Sequence, residues 1–159
     1  MVRRSAIAAS RDSASVFRRA STASASGLSR IFPGPLTGAS VIVTGSTTTI
    51  KGTPAFSVYS ASKAALRSFV RNWILDVKEL GIRINLLSPG PTKTPGLVEL
   101  AGPDPAQQQG MLDHMASLVP MGRVGDPDEI AKVAVFLASD DASFITGTEL
   151  FADGGQAQV

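Results

Sequence analysis

Apolar residues follow two rhythms along this chain. Short runs rich in β-branched residues stand at ASVIVTG (39–45), IRINLLSPG (82–90) and ITGTELFADGG (145–155). Runs of this kind, closed by Gly or Pro, predict short strands buried in a parallel sheet. Between the first two, Leu66, Phe69, Val70, Trp73, Ile74, Val77 and Leu80 recur at spacings of three and one. That rhythm predicts one face of a helix from about Ser57 to Leu80, with Gly81 as its stop. Arg67 and Arg71 then lie on the polar face, where they read as solvated charge. A further helix is predicted over Pro127–Ser139, with Asp126 at its cap, Pro127 in its first position, and Asp128 and Glu129 set against the helix dipole. The Pro- and Gly-rich stretch 91–125 predicts loop, with a short helix near 105–118. The order β-α-β-(loop, helices)-α-β predicts an α/β fold, a parallel sheet of about three strands with helices on its faces.

Residues 1–38 break both rhythms. They are rich in Ser, Ala and Arg, with six arginines and one acid, Asp12. Such a segment cannot bury enough apolar surface to offset the entropy of ordering it, so a disordered tail is expected. Three explanations compete: an organelle transit peptide, which has this composition, a flexible basic arm, and an upstream stretch not native to the fold. The last is favoured. The domain itself is expected to occupy 39–159.

Charge narrows the functions open to the chain. The formal net charge is +2, yet residues 39–159 carry nine Lys/Arg against twelve Asp/Glu. The basic excess lies in the tail, so the body offers no electrostatic footprint for nucleic acid. No apolar run approaches the roughly 18 residues that span a membrane. The absence of cysteine removes disulfides and thiolate chemistry. His114 is the single histidine, and one histidine in a polar stretch does not make a metal centre. The expected metal set is none. A cytoplasmic location is expected, or a mitochondrial one if the tail is a genuine transit peptide.

Candidate chemistry gathers near the start of the long helix. Tyr59 and Lys63, in YSASK, are four apart, so a helix places them side by side. An ammonium beside a phenol stabilises the phenolate, and such a tyrosine can donate a proton to a carbonyl or accept one from an alcohol. Ser46 closes the first strand thirteen residues before Tyr59. Read blandly, Tyr59 is a half-buried aromatic, Lys63 a lysine laid along the surface, and Ser46 a turn residue.

In order, Ser46, Tyr59-x-x-x-Lys63, Asn85-Leu-Leu-Ser-Pro-Gly90 with Thr92 and Thr94, Pro120-Met-Gly-Arg123, Asp126-Pro-Asp-Glu129, Phe136-Leu-Ala-Ser-Asp, Ile145-Thr-Gly147 and Asp153-Gly-Gly155 resemble the C-terminal half of a short-chain dehydrogenase/reductase. The resemblance implies part of a doubly wound, Rossmann-like sheet and an NAD(P)-dependent oxidoreductase, passing hydride between a nicotinamide and a ketone or secondary alcohol. It makes Ser46, Tyr59 and Lys63 the catalytic set. Tyr59, Lys63, Pro89, Gly90, Thr92 and Thr94 would hold NAD or NADP. It also implies a small-molecule carbonyl or alcohol substrate, a substrate loop over 95–125, and a homo-oligomer formed through the 57–80 helix.

The family's glycine-rich turn, T-G-x-x-x-G-x-G, lets backbone approach a pyrophosphate. Thr44–Gly52 lacks its middle and last glycines and is not such a turn. The strand at 39–45 is therefore expected to form an exposed sheet edge, and the chain alone is expected to be weakly active or inactive. The alternative is a non-catalytic remnant that at most self-associates or pairs with full-length relatives.

Overall fold

A computed structural model describes the backbone of residues 5–8 and, in full, residues 37–159. The elements are β1 (Ser5–Ala8), β2 (Ser40–Thr44), α1 (Ser57–Asp76), β3 (Arg83–Pro89), α2 (Pro95–Val98), α3 (Pro105–Ser117), α4 (Pro127–Ala138) and β4 (Glu149–Ala152). The strands form one parallel sheet in the order β1-β2-β3-β4. Val41 pairs with Ile84 and Val43 with Leu86, while Leu87 pairs with Leu150 across the other side of β3.

One of these findings departs from the sequence pattern. The predicted strands are present as β2, β3 and β4, but the strand at 39–45 is not an edge. β1 pairs with it in register, Ser5 with Ser40 through Ala8 with Val43. Apart from these four residues and Thr37–Gly38, the expected disordered tail falls outside the described residues.

The two faces of the sheet are covered by different helices. Val41, Val43, Ile84 and Leu86 pack against Leu66, Val70 and Trp73 of α1 and Val77 at its C-terminal cap. The residues of opposite parity, Ile42 and Leu87, pack against Ala134 and Leu137 of α4. Strand periodicity produces this division, because successive side chains leave opposite faces. The apolar stripe of α1 is thus core over most of its length, and Trp73 is 4 % exposed. Leu80 lies outside the helix proper. The chain tightens into a 3-10 turn at Lys78–Leu80, and Gly81 takes the left-handed conformation, φ 62°, which glycine adopts without a Cβ clash.

Polar side chains of β3 fasten the far layer. Arg83 donates to the carbonyls of Leu137 and Ser139, both at 2.9 Å, and so occupies acceptors left open at the C-terminus of α4. Buried Asn85 donates to Ile145 O at 2.9 Å and accepts from Thr148 N–H at 3.2 Å. Among the described residues, no helix is long and apolar enough to cross a membrane.

Trp73→Ala should lower the unfolding free energy by about 3–5 kcal/mol, the cost of deleting a buried aromatic side chain. Leu75→Ala, on the solvent side of the same helix and 67 % exposed, should stay within about 0.5 kcal/mol of wild type. Urea unfolding of both variants checks the pair.

Candidate active site

The C-terminal ends of β2 and β3 open into one cleft of about 650 Å3. Ser46, Tyr59, Lys63, Pro89, Gly90, Thr92 and Thr94 all line it. Parallel pairing explains their meeting. Two strands running in the same direction release their chains at the same edge of the sheet, where α/β folds hold ligands.

The first wall is the turn after β2. Ser46 is extended and caps a 3-10 turn, Thr47–Thr49. Its Oγ accepts from Thr48 N–H at 3.3 Å and from the Thr48 hydroxyl at 3.1 Å. The chain then turns through Ala55, whose φ is +64°, an uncommon left-handed value for a residue with a Cβ. This delivers Phe56 to the head of α1, where its ring meets Tyr59 edge-to-face at 5.8 Å.

Tyr59 and Lys63 lie one helical turn apart. The Lys63 ammonium sits 5.7 Å from the centre of the Tyr59 ring, within cation–π range. Tyr59 is 43 % exposed at the mouth of the cleft, whereas Lys63 is 6 % exposed at its base. Lys63 Nζ donates to Thr44 O at 3.0 Å. A lysine ammonium has three donors, and this bond uses one, so two remain for a ligand. Burial pushes the pKa of Lys63 below its usual 10.5.

The second wall is the turn after β3. Gly90 N–H donates to Ala152 O at 3.0 Å. A Cβ at Gly90 would lie 2.7 Å from Asp153 Cα, so only glycine permits this approach of two backbones. Thr92 Oγ1 donates to Gly90 O at 3.0 Å. Thr94 caps α2, accepting from Leu97 N–H at 3.2 Å. The segment is zipped to the chain ahead of α4, with Gly125 N–H donating to Pro91 O and Lys93 N–H to Gly125 O, both at 2.9 Å. Beyond the zip, Arg123 grips Glu129 with two bonds of 2.7 Å. Together with the Asp126 N–H, Arg123 holds the Glu129 carboxyl at a pKa of about 2.

Sequence reasoning misses two features. Arg67 is not simply solvated, because its Nη1 lies 2.8 Å from Glu149 Oε2. The Glu149 side chain is 2 % exposed. Its Oε1 accepts from Thr49 Oγ1 and from Ser88 Oγ, each at 2.7 Å. One carboxylate of β4 thus ties together the Ser46 turn, β3 and α1. The second is Gln156, which lines the cleft and whose Oε1 accepts from Thr47 Oγ1 at 3.3 Å. Neither has a local sequence signal, since the contacts span about a hundred positions. His114 lies exposed on α3.

Comparison with known proteins follows the same lines. A family model described as enoyl-(acyl carrier protein) reductase matches residues 7–157. An oxidoreductase, asL5, of Sarocladium schorii is 45 % identical over 122 residues, 77 % of this chain and 47 % of that protein. The ligand-free aldohexose dehydrogenase of Thermoplasma acidophilum is similar in structure, with TM-score 0.70 and 35 % identity over 76 % of this chain and 48 % of that one. A gluconate 5-dehydrogenase of Burkholderia cenocepacia, in complex with NADP and tartrate, has TM-score 0.70 and 30 % identity over 85 % of this chain and 51 % of that one. The chain spans about half the length of these relatives.

Two measurements probe this geometry. Glu149→Ala removes the shared acceptor of Thr49, Ser88 and Arg67, and should cost about 1–3 kcal/mol in urea unfolding. For Lys63, the unfolded chain binds the proton more tightly than the folded chain in the window below 10.5. Folded-state stability from this group therefore rises with pH through that window. The difference in unfolding free energy between wild type and Lys63→Met should shift toward wild type as pH is raised from neutral to 10.5.

Proposed function

The chain belongs to the short-chain dehydrogenase/reductase family, and from that premise we propose that its cleft is the carbonyl end of an NAD(P)-dependent oxidoreductase site. The observation that carries this reading is the meeting of Ser46, Tyr59, Lys63 and the Pro89–Thr94 turn in one cleft. A nicotinamide dinucleotide bound there supplies or takes the hydride. The residues fit its nicotinamide end. Lys63 keeps two donors for ribose hydroxyls at the base of the cleft, while the Gly90 turn keeps its backbone clear of side-chain bulk. Thr92 and Thr94 flank the same space.

The protein's own part is proton transfer and positioning. In the reducing direction the Tyr59 hydroxyl donates its proton to the carbonyl oxygen, and Ser46 donates a hydrogen bond to that oxygen. In the oxidising direction Tyr59 accepts the alcohol proton. The Lys63 ammonium, close to the Tyr59 ring, favours the phenolate left after donation. Placing the reacting carbon and the hydride within reach of each other is the larger requirement.

The dinucleotide's pyrophosphate end finds no glycine-rich turn in this chain. We therefore expect the 159-residue chain alone to bind nicotinamide weakly and turn over slowly. A second reading is a non-catalytic protein that associates with itself or with longer relatives, and the missing glycine-rich turn favours it.

Nicotinamide fluorescence titrations with NADH and NADPH, alongside hydride transfer to a simple ketone at high protein concentration, separate the two. The oxidoreductase reading predicts saturable binding that weakens at least about tenfold in Lys63→Ala. It also predicts hydride transfer that falls about 10²–10⁴-fold in Tyr59→Phe. Neither binding nor transfer, or transfer that survives Tyr59→Phe, sinks it.

A further inference from the structure

Much of the cleft lining is apolar. Phe56, 41 % exposed, presents its ring beside the phenol. Leu97, Leu100, Met115 and Ile130 close the cleft from α2, the turn after it, α3 and α4. Lys63 is the single charged residue among the described residues lining the cleft, and its place is at the base, against Thr44 O.

Several polar groups of the lining are engaged within the chain. Thr47 bonds Gln156, Thr48 bonds Ser46, Thr92 bonds Gly90 O, and Thr94 caps α2. A substrate carboxylate or phosphate beyond the reacting carbon would meet no cation in the lining other than Lys63, whose donors the nicotinamide ribose takes. A chain of sugar hydroxyls would likewise exchange water for CH groups.

We infer that the substrate is a neutral carbonyl compound or secondary alcohol whose reacting carbon is carried on an apolar, ring-sized body, with polyols and carboxylated substrates excluded. This rests on the oxidoreductase reading of the cleft and narrows it. The cleft's volume of about 650 Å3 leaves room for a bicyclic body beside a nicotinamide. Phe56 and Leu97 supply flat and branched apolar surface in its lining. The inference sets this chain apart from its structural relative named for gluconate, a carboxylated polyol.

Tyr59 is the only tyrosine in the chain, so 3-fluorotyrosine labelling gives one fluorine signal, placed at the mouth of the cleft. Titration with α-tetralone, a neutral bicyclic ketone, should shift that signal saturably with Kd below about 1 mM. 5-Ketogluconate should leave it in place at about tenfold higher concentration. Leu97→Asp should weaken α-tetralone binding about tenfold or more, with unchanged far-UV circular dichroism. An unmoved signal with α-tetralone, or an equal response to 5-ketogluconate, overturns the inference without need of any variant. So does a folded Leu97→Asp protein that keeps full α-tetralone affinity. The signal requires no turnover. Failure of the oxidoreductase reading therefore looks different: α-tetralone binds, but no hydride reaches it from NADH or NADPH.

Discussion

The hydrogen bond from Lys63 Nζ to Thr44 O joins the two parts on which the site depends. Thr44 ends β2, and Lys63 is the seventh residue of α1. Without that bond the buried ammonium would lack its partner at the cleft base, and an unpaired buried charge is costly. With it, the helix that carries Tyr59 is tied to the strand that leads into Ser46. The apolar packing of Leu66, Val70 and Trp73 on β2 and β3 fixes the helix against the sheet. The lysine fixes its first turns against the strand end. Burial lowers the lysine's pKa, which marks the cost of keeping a cation in that place.

The surrounding elements extend this constraint. Parallel pairing of β2 with β3 brings the Ser46 turn and the Pro89–Thr94 turn to one edge. The Glu149 carboxylate then links the first turn to β3 and, through Arg67, to α1. On the far side, the zip between Pro91–Lys93 and Gly125 sets where α2 and α3 stand over the cleft. Arg123 and Glu129 reinforce it from the surface, where an ion pair adds geometry more than stability. This outer segment contributes Leu97, Leu100 and Met115 to the cleft lining.

Much of this was legible in the sequence, for physical reasons. Buried parallel strands are short apolar runs, so β2 and β3 fall within the predicted stretches, and β4 lies inside the third. The stripe from Leu66 to Val77 reads directly as the face of α1 because a single helix creates its own periodicity. Tyr59 and Lys63 are visible as a pair because helical neighbours are close in sequence. What escaped detection has no local signal. β1 lies in a Ser-, Ala- and Arg-rich segment without apolar periodicity, and its pairing with β2 is a tertiary event. The four-residue helix Pro95–Val98 is too short to show a period. Arg67 looks solvated until Glu149, 82 positions later, comes beneath it.

On the proposed function, one cleft brings Ser46, Tyr59 and Lys63 to bear on a carbonyl and a nicotinamide. The most direct measurement is a crystal structure of the chain with a nicotinamide dinucleotide and a neutral bicyclic ketone. The account predicts the ketone oxygen at hydrogen-bonding distance, about 2.7–2.8 Å, from both Tyr59 Oη and Ser46 Oγ, with Lys63 Nζ on the ribose. A ketone seated elsewhere, or a nicotinamide that leaves Lys63 bonded to Thr44 O alone, would contradict it.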